Sequence, residues 1–173
     1  MNGDAKKIAF IACVNDEEMY EESVRYLRHL EVPQGFSVEL VPVYGASSMT
    51  AGYEAARRAT TARFKVYMHQ DILLTEKRLI PRMLEIFRLR PEVGLIGFAG
   101  CRHIPDSGVW WDSKECYGSV WHVREPEFME LVSRLAVPDE GIEVAALDGI
   151  FLATQADVPW REDIFTGWHF YDL

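Results

Sequence analysis

An aspartate stands between two apolar runs in the sequence KVYMHQDILL, at positions 65–74. A carboxylate in such a place is costly to bury unless a cation or a hydrogen-bond donor pairs with it. Mg²⁺ and Mn²⁺ prefer oxygen ligands and often take only one or two carboxylates, because phosphates and water complete their coordination. Asp71 is therefore a candidate metal ligand, and the alternative is that it caps the turn after a strand, as aspartates commonly do. The residue pattern leaves both interpretations open.

The elements that position Asp71 follow an alternation of strand-like and helix-like segments. Apolar runs typical of buried strands cover residues 8–14, 38–44, 64–69 and 93–98, with amphipathic helical patterns between them. Asp16 and then Ser47 or Ser48 are expected to cap the first two helices, and Pro33 and Pro91 to follow the ends of the first and third. Strands separated by helices of this length predict right-handed βαβ units. The expected fold is an α/β domain with a central, mainly parallel sheet flanked by helices.

Polar side chains follow three of these strands at the end where α/β sheets bind their ligands. Asn15 and Asp16 follow the first strand, Tyr44 closes the second, and Gln70 and Asp71 follow the third. Because the carboxyl ends of parallel strands share one edge of the sheet, we expect these groups to be neighbours. A nucleotide laid across this edge would meet polar groups from two strands and a carboxylate from the third.

The second half of the chain has a different pattern. Residues 101–120 are expected to form a long functional loop, in which Trp110 and Trp111 offer aromatic surface for a sugar ring while at least one of them anchors the loop. A helix is predicted over residues 125–135 and a strand over residues 143–154.

Composition limits the class of protein. The 173 residues, 49% hydrophobic, suit one packed domain, and the net charge of −9 argues against a nucleic-acid binder. Three cysteines without a disulfide or zinc spacing fit a reducing compartment. The apolar run at residues 8–14 is too short to span a bilayer. We expect a cytoplasmic protein without a transmembrane segment, either free or peripheral at the inner face of a membrane.

The order of these segments resembles the family 2-like glycosyltransferases of the GT-A fold, over roughly residues 7–173. The likeness rests on the segments ARFKVYMHQDILL, PEVGLIGFAG, ALDGIFLAT and FTGWHFYD, and it is nearest to a bacterial branch related to streptomycin biosynthesis. It implies one Rossmann-like GT-A domain over residues 1–173. It also implies a hexosyltransferase-like enzyme that moves a sugar from a nucleotide-diphosphate sugar to a hydroxyl of a saccharide or another acceptor, with inversion and with Mn²⁺ or Mg²⁺.

The resemblance also implies binding roles at matching positions. MHQD occupies the place of the family's metal-binding Asp-x-Asp, so Asp71 is expected to meet the cation, with His69 and His169 as further ligand candidates. His69 is otherwise expected to pack at the end of its strand. Contacts to the nucleotide-sugar are expected from residues at the ends of the first three strands, with Tyr44 stacking on the base: Cys13, Val14, Asn15, Asp16, Tyr44, His69, Gln70 and Asp71.

Catalytic and acceptor roles fall in the last third of the chain. The resemblance places the general base on Asp172, and Asp148 is a candidate for orienting the acceptor, although either aspartate is alternatively a helix cap or a loop residue. Acceptor contacts are expected from Trp110, Trp111, Gly149 and Trp168. The chain stops at Leu173, where a helix is expected to begin, so we expect either a truncated chain or an incomplete catalytic helix.

Two positions differ from the family pattern. His69 stands where the family has its first aspartate, and VYGASS, at residues 43–48, stands where it has an aspartate-rich turn. The alternative function is therefore a catalytically inactive GT-A-like domain that binds a sugar, a nucleotide or a protein partner. A nucleotidyltransferase or a dinucleotide-binding domain would need a glycine-rich phosphate loop after the first strand, and the sequence has none there.

Overall fold

Five strands form the main sheet of the protein, whose computed structural model describes residues 4–124, 127–133 and 135–169. In chain order they are β1 (Asp4–Val14), β2 (Ser37–Tyr44), β3 (Ala62–Met68), β4 (Leu95–Gly97) and β10 (Phe151–Thr154). Their spatial order is β2-β1-β3-β10-β4. β1 pairs in parallel with β2 and β3, whereas β10 runs antiparallel to β3. The predicted mixed α/β architecture with a mostly parallel central sheet is confirmed.

Three α-helices follow the first three strands among the described residues. They are α1 (Glu17–Leu27), α2 (Met49–Ala59) and α3 (Leu79–Leu89). The side chains of Asp16 and Ser48 accept hydrogen bonds from backbone N–H groups of the first turns, which confirms Asp16 as one cap and selects Ser48 over Ser47 for the other. α1 ends at Leu27, well before Pro33, and a turn follows it directly.

The core is built around β1 and β3. Ile8, Ile11 and Val66 are fully buried, and the whole of residues 64–68 is buried, as expected for an inner strand with both faces covered. α2 approaches β1 closely at Gly52, where a Cβ atom would overlap the Cys13 sulfur. The glycine therefore permits the close contact that seats α2 on the sheet.

The chain divides into two compact units, and the second comprises residues 97–148. Its strands are β5 (Gly100–Cys101), β6 (Cys116–Tyr117), β7 (Ser119–Arg124), β8 (Glu127–Ser133) and β9 (Ala146–Leu147). A short 3-10 helix covers Trp110–Asp112. These strands form a three-stranded sheet, in the order β6-β5-β9, and a two-stranded sheet of β7 and β8.

Two predictions for this half of the chain are wrong. The helix predicted over residues 125–135 is replaced by β8, whose backbone pairs with β7 from Ser119 opposite Ser133 to Arg124 opposite Glu127. Pairing with the neighbouring strand β7 satisfies the backbone here, and the apolar spacing of a single segment does not report such a partner. The single strand predicted over residues 143–154 is divided into β9 and β10 by a turn at Gly149.

Candidate functional site

The side chain of Gln70 joins the carboxyl ends of β1 and β3. Its amide oxygen accepts hydrogen bonds from the backbone N–H groups of Asn15 and Asp16 at 2.9 and 3.0 Å. Its amide nitrogen donates to Asn15 Oδ1 at 2.5 Å. Asp16 also caps α1, so the side chain of Gln70 holds the connection from β1 to α1 in place. The expected meeting of these two strand ends is confirmed.

Asp71 lies between two anchored neighbours. Gln70 is bound to the β1–α1 connection, and the carbonyl oxygen of Ile72 accepts a hydrogen bond from Ser23 Oγ at 2.7 Å. Ser23 is fully buried on α1. Asp71 itself is exposed. The backbone thus holds Asp71 at a defined place on the carboxyl edge of the sheet, in contact with solvent.

The start of β10 reaches the same edge beside His69. The backbone N–H of His69 donates to the carbonyl oxygen of Ile150 at 3.2 Å, and Phe151 pairs with Met68. Because β10 is antiparallel to β3, the buried Gly149 comes close to the point where β3 ends. His69 and Gly149 are therefore brought together with the strand ends of β1 and β3.

A C-terminal segment docks on the first turn of α2. The Thr50 hydroxyl donates to the carbonyl oxygen of Phe165, and the Met49 backbone N–H donates to the carbonyl oxygen of Gly167 at 3.2 Å. α2 follows the carboxyl end of β2, so its first turn lies at the edge of the sheet that carries Asn15 and Asp71. Trp168, which is 45% exposed, and the exposed His169 directly follow this anchor.

Buried charge ties the preceding segment, residues 155–162, to α2 and β3. Glu54, 1% exposed, accepts hydrogen bonds from Arg57 at 2.7 and 2.8 Å, from Arg58 at 2.7 Å and from the Trp160 backbone N–H at 3.1 Å. The bonds from Arg57 lower the pKa of the Glu54 carboxyl to about 2, against the opposing effect of burial.

Asp157 continues this network. Arg57 Nη1 lies 2.8 Å from its Oδ2, and the buried Lys65 Nζ lies 3.1 Å from its Oδ1. Burial alone would raise the pKa of Asp157, but hydrogen bonds from Arg57 and Lys65 bring it below its usual range. The ring of Trp160 adds apolar contact, with its centroid 5.1 Å from Tyr53 and 5.0 Å from Tyr67.

The remaining predicted nucleotide contacts lie at the ends of β1 and β2. Val14 is buried, and the half-buried Cys13 packs under α2, where its thiol donates to the Met49 carbonyl oxygen at 3.9 Å. Burial raises the pKa of Cys13 to about 11. The ring of Tyr44 is 57% exposed. Of these three side chains, that of Tyr44 is the most accessible to a ligand.

A groove of about 470 Å³ runs between α1 and β2 and includes Tyr44. Burial, and then the neighbouring Tyr44, raise the pKa of Tyr20 on its wall. The groove has acidic residues at one end of its helical wall and basic residues towards the other: Glu17, Glu21, Arg25 and Arg28.

Three further predicted residues belong to the second unit. Trp110 is 5% exposed and packs with Cys101 and Cys116, so it anchors its loop, as expected for one of the two tryptophans. Trp111 is 42% exposed, with its ring 5.8 Å from that of Trp110 at an angle of 87°. The backbone N–H of Asp148 donates to the Ala99 carbonyl oxygen at 2.8 Å.

The structure describes the predicted metal ligands His69, Asp71 and His169 but not the predicted base. Asp172 lies outside the described residues. Within the described ranges, no group of three or more His, Cys, Asp or Glu side chains is placed to hold a metal ion. A cation at Asp71 would therefore depend on one or two protein ligands with phosphate and water completing its coordination, which is a common arrangement for Mg²⁺.

Sequence reasoning missed the residues that anchor the C-terminal segment. The spacing of Glu54, Arg57 and Arg58 is that of neighbours on one helix face, and this signal was available. Asp157, the partner of Arg57, lies 100 residues from it, and Thr50 lies 115 residues from Phe165. No local pattern connects residues so far apart.

Comparison with known proteins identifies a family to which most of the chain is similar. A family model described as "Glycosyltransferase like family" matches residues 9–173. No curated protein matched the chain. Among the described residues, no helix has the length and apolar character needed to cross a membrane.

Proposed function

Because the chain belongs to this glycosyltransferase-like family, we propose that it transfers a sugar from a nucleotide-diphosphate sugar to an acceptor hydroxyl, with inversion and with a divalent cation. The observation that carries this proposal is the convergence at the carboxyl edge of the main sheet. Gln70 joins Asn15 and Asp16 at this edge, beside the exposed Asp71. The first turn of α2, at the same edge, anchors the segment that leads to Trp168.

The β1–α1 connection is the proposed seat of the nucleotide. Gln70 uses its amide oxygen on two backbone N–H groups and its nitrogen on Asn15. We therefore propose that Gln70 shapes this connection and does not bind the diphosphate directly. The exposed ring of Tyr44, at the end of the neighbouring strand, offers a face on which a base can stack.

Asp71 is the proposed protein ligand for the cation. Its exposed carboxylate fits a hard ion whose other ligands come from the diphosphate and water. Bound there, Mg²⁺ or Mn²⁺ would stabilise the negative charge that grows on the departing nucleoside diphosphate. His69 and His169 remain proposed further ligands.

The acceptor is proposed to bind at the C-terminal segment. Docking of Phe165 and Gly167 on α2 directs the chain to Trp168, whose exposed ring suits a sugar. Inversion requires the acceptor hydroxyl to attack the anomeric carbon from the face opposite the diphosphate, and a base that removes its proton adds about 10²–10⁴ in rate. Asp172 is the proposed base. The roles of Asp148 and Trp111, in the second unit, stay predictions from the sequence.

A thermal-shift screen of nucleotide-sugars, with and without Mn²⁺, tests the donor site. The wild-type protein is expected to melt higher with one class of donor, and more so with Mn²⁺, because a ligand of the folded state stabilises it by mass action. Asp71→Ala is expected to remove the Mn²⁺-dependent part. Asp106→Ala, which removes an exposed carboxylate from a loop of the second unit, is the matched control and should keep the full shift.

Release of nucleoside diphosphate in the presence of saccharide acceptors then separates transfer from binding. Turnover that depends on both substrates supports the enzyme. A donor-induced shift without any turnover would favour the inactive binding domain. An undiminished Mn²⁺-dependent shift in Asp71→Ala would show that Asp71 does not hold the cation.

A further inference from the structure

Two buried cysteines face each other in the second unit. Cys101 of β5 is directly opposite Cys116 of β6 in the antiparallel register. The next pair, Arg102 and Glu115, is joined by a backbone hydrogen bond of 3.0 Å. Hydrogen-bonded and non-hydrogen-bonded pairs alternate along an antiparallel ladder, so Cys101 and Cys116 form a non-hydrogen-bonded pair.

The geometry of such a pair suits a disulfide. Directly opposite residues of this type have Cα atoms about 4.5 Å apart and side chains on the same face of the sheet. Disulfides close over Cα separations of about 4.4–6.8 Å. Both side chains enter one buried cluster with Ala99, Trp110 and Ala146. The two sulfur atoms therefore share a small apolar space.

Both sulfurs are buried in the reduced protein. The Cys116 thiol donates towards the carbonyl oxygens of Trp110 and Ser113, each 3.3 Å from its Sγ. Burial, and then the nearby Cys116 thiol, raise the pKa of Cys101. The thiolate is the form that reacts with an oxidant, and a buried thiol is inert. Oxidation of these two buried residues therefore requires a local opening that exposes them. β6 has only two residues and lies at the edge of its sheet, where its outer side is joined to Leu135 by an isolated bridge. This short strand is therefore the element of the sheet that can open.

We propose that Cys101 and Cys116 form a reversible cross-strand disulfide when the protein meets a peroxide. The first thiolate attacks hydrogen peroxide, the O–O bond breaks, and a sulfenic acid forms while hydroxide leaves and takes up a proton as water. The second thiolate attacks that sulfur, the S–S bond forms and the hydroxyl group leaves, taking up a proton as a second water. Two thiols and one peroxide thus give one disulfide and two waters.

The consequence concerns the loop between the two cysteines. Residues 102–115 connect β5 to β6 and carry the exposed Trp111. A disulfide would close this loop covalently at its base. Loops of this size gain stability from a cross-link chiefly because the unfolded chain loses freedom.

Intact mass and peptide mapping test the proposal on the full chain. Native protein is treated with hydrogen peroxide at neutral pH, alkylated under denaturing conditions and digested with trypsin. Cleavage after Arg102 and Lys114 puts the two cysteines on separate peptides. We expect a loss of about 2 Da before alkylation, a fall from three titratable thiols to one, and a linked pair of these two peptides. Dithiothreitol should reverse all three changes.

Single cysteine variants supply the controls. Cys13→Ser should retain the mass loss and the linked peptides, whereas Cys101→Ser and Cys116→Ser should each abolish them. The disulfide should also raise Tm by about 5 °C or more, and reduction should cancel the rise. Three intact thiols after treatment, a link that involves Cys13, or only oxygen adducts on Cys101 and Cys116 would overturn the proposal. The wild-type map decides the matter even where a variant folds poorly.

Discussion

At the scale of single residues, Gln70 shows how a motif position can act through its neighbours. The sequence places it beside Asp71 and predicts a contact to the nucleotide-sugar. The structure turns its amide towards Asn15 and Asp16, with three hydrogen bonds of 2.5–3.0 Å. Neighbouring strand ends were predictable from the βαβ pattern, but the direction of the amide depends on a partner 55 residues away.

Gln70→Met is expected to loosen the β1–α1 connection. Methionine has a similar length but cannot accept from the N–H groups of Asn15 and Asp16, so their amide protons should exchange with solvent faster. If this connection seats the nucleotide, affinity for a nucleoside diphosphate should fall about fivefold to tenfold, the equivalent of about one net hydrogen bond. Hydrogen exchange by mass spectrometry and calorimetric titration measure the two effects.

Gln155→Met is the matched control for that substitution. Gln155 Nε2 donates to the carbonyl oxygens of Pro91 and Val93 at 3.2 and 2.8 Å, so this change also removes side-chain hydrogen bonds to backbone. Gln155 follows β10, whose other end reaches the candidate site. Stability should fall in this variant without a change in nucleotide affinity. Equal losses of affinity in both variants would contradict the special role of Gln70.

At the scale of elements, the local sequence pattern was enough to predict a strand or helix that has a clear apolar run or a clear capping residue. β1, β2, β3 and the starts of α1 and α2 follow directly from apolar runs and from Asp16 and Ser48. The strand pair β7-β8 did not, because residues 125–135 have apolar spacing that also fits a helix. A strand that exists through pairing with β7 can be recognised only together with that partner.

The docking of the C-terminal segment on α2 gives a prediction for Thr50. This residue is fully buried, and its hydroxyl donates to the carbonyl oxygen of Phe165. Thr50→Val keeps the shape but removes the donor, so unfolding free energy should fall by about 1–3 kcal/mol. The amides of residues 165–169 should also exchange faster. Chemical denaturation and hydrogen exchange provide the measurements.

Thr75→Val, at an exposed position outside the helices, is the control for Thr50→Val. It should change neither stability nor exchange in residues 165–169. A loss of stability in Thr50→Val with unchanged exchange in that segment would mean that Thr50 supports the core of α2 but does not hold the segment that leads to Trp168.

At the scale of the whole molecule, the single domain expected over residues 1–173 stays a prediction. The structure divides the chain into two compact units. The first is made from both ends of the sequence, since it joins residues before 97 to residues after 148. Such a division depends on contacts between distant segments, which local patterns in the sequence do not report. The buried network around Glu54 is the clearest of those contacts in the first unit.

This network predicts how the stability of the protein depends on pH. The pKa of Glu54 is lowered from its ordinary value of 4.5 to about 2 in the folded state. A carboxyl whose pKa is lower in the folded state contributes stability above its unfolded pKa and loses it as pH falls through the folded value. The contribution of Glu54 should therefore be complete above about pH 5 and disappear between about pH 4.5 and 2. A shift of this size corresponds to about 3 kcal/mol.

Glu54→Gln isolates the contribution of the Glu54 charge to stability, because glutamine keeps the shape of the side chain but carries no charge to titrate. The variant should unfold about 3 kcal/mol more easily than wild type at pH 7, since Arg57 loses a buried partner, and the two proteins should converge as pH approaches 2. Denaturant unfolding from pH 2 to 7 measures both curves. Glu22→Gln removes an exposed carboxylate from α1 and should leave the profile unchanged. A difference between Glu54→Gln and wild type that stays constant with pH would mean that Glu54 stabilises the fold through packing and not through its charge.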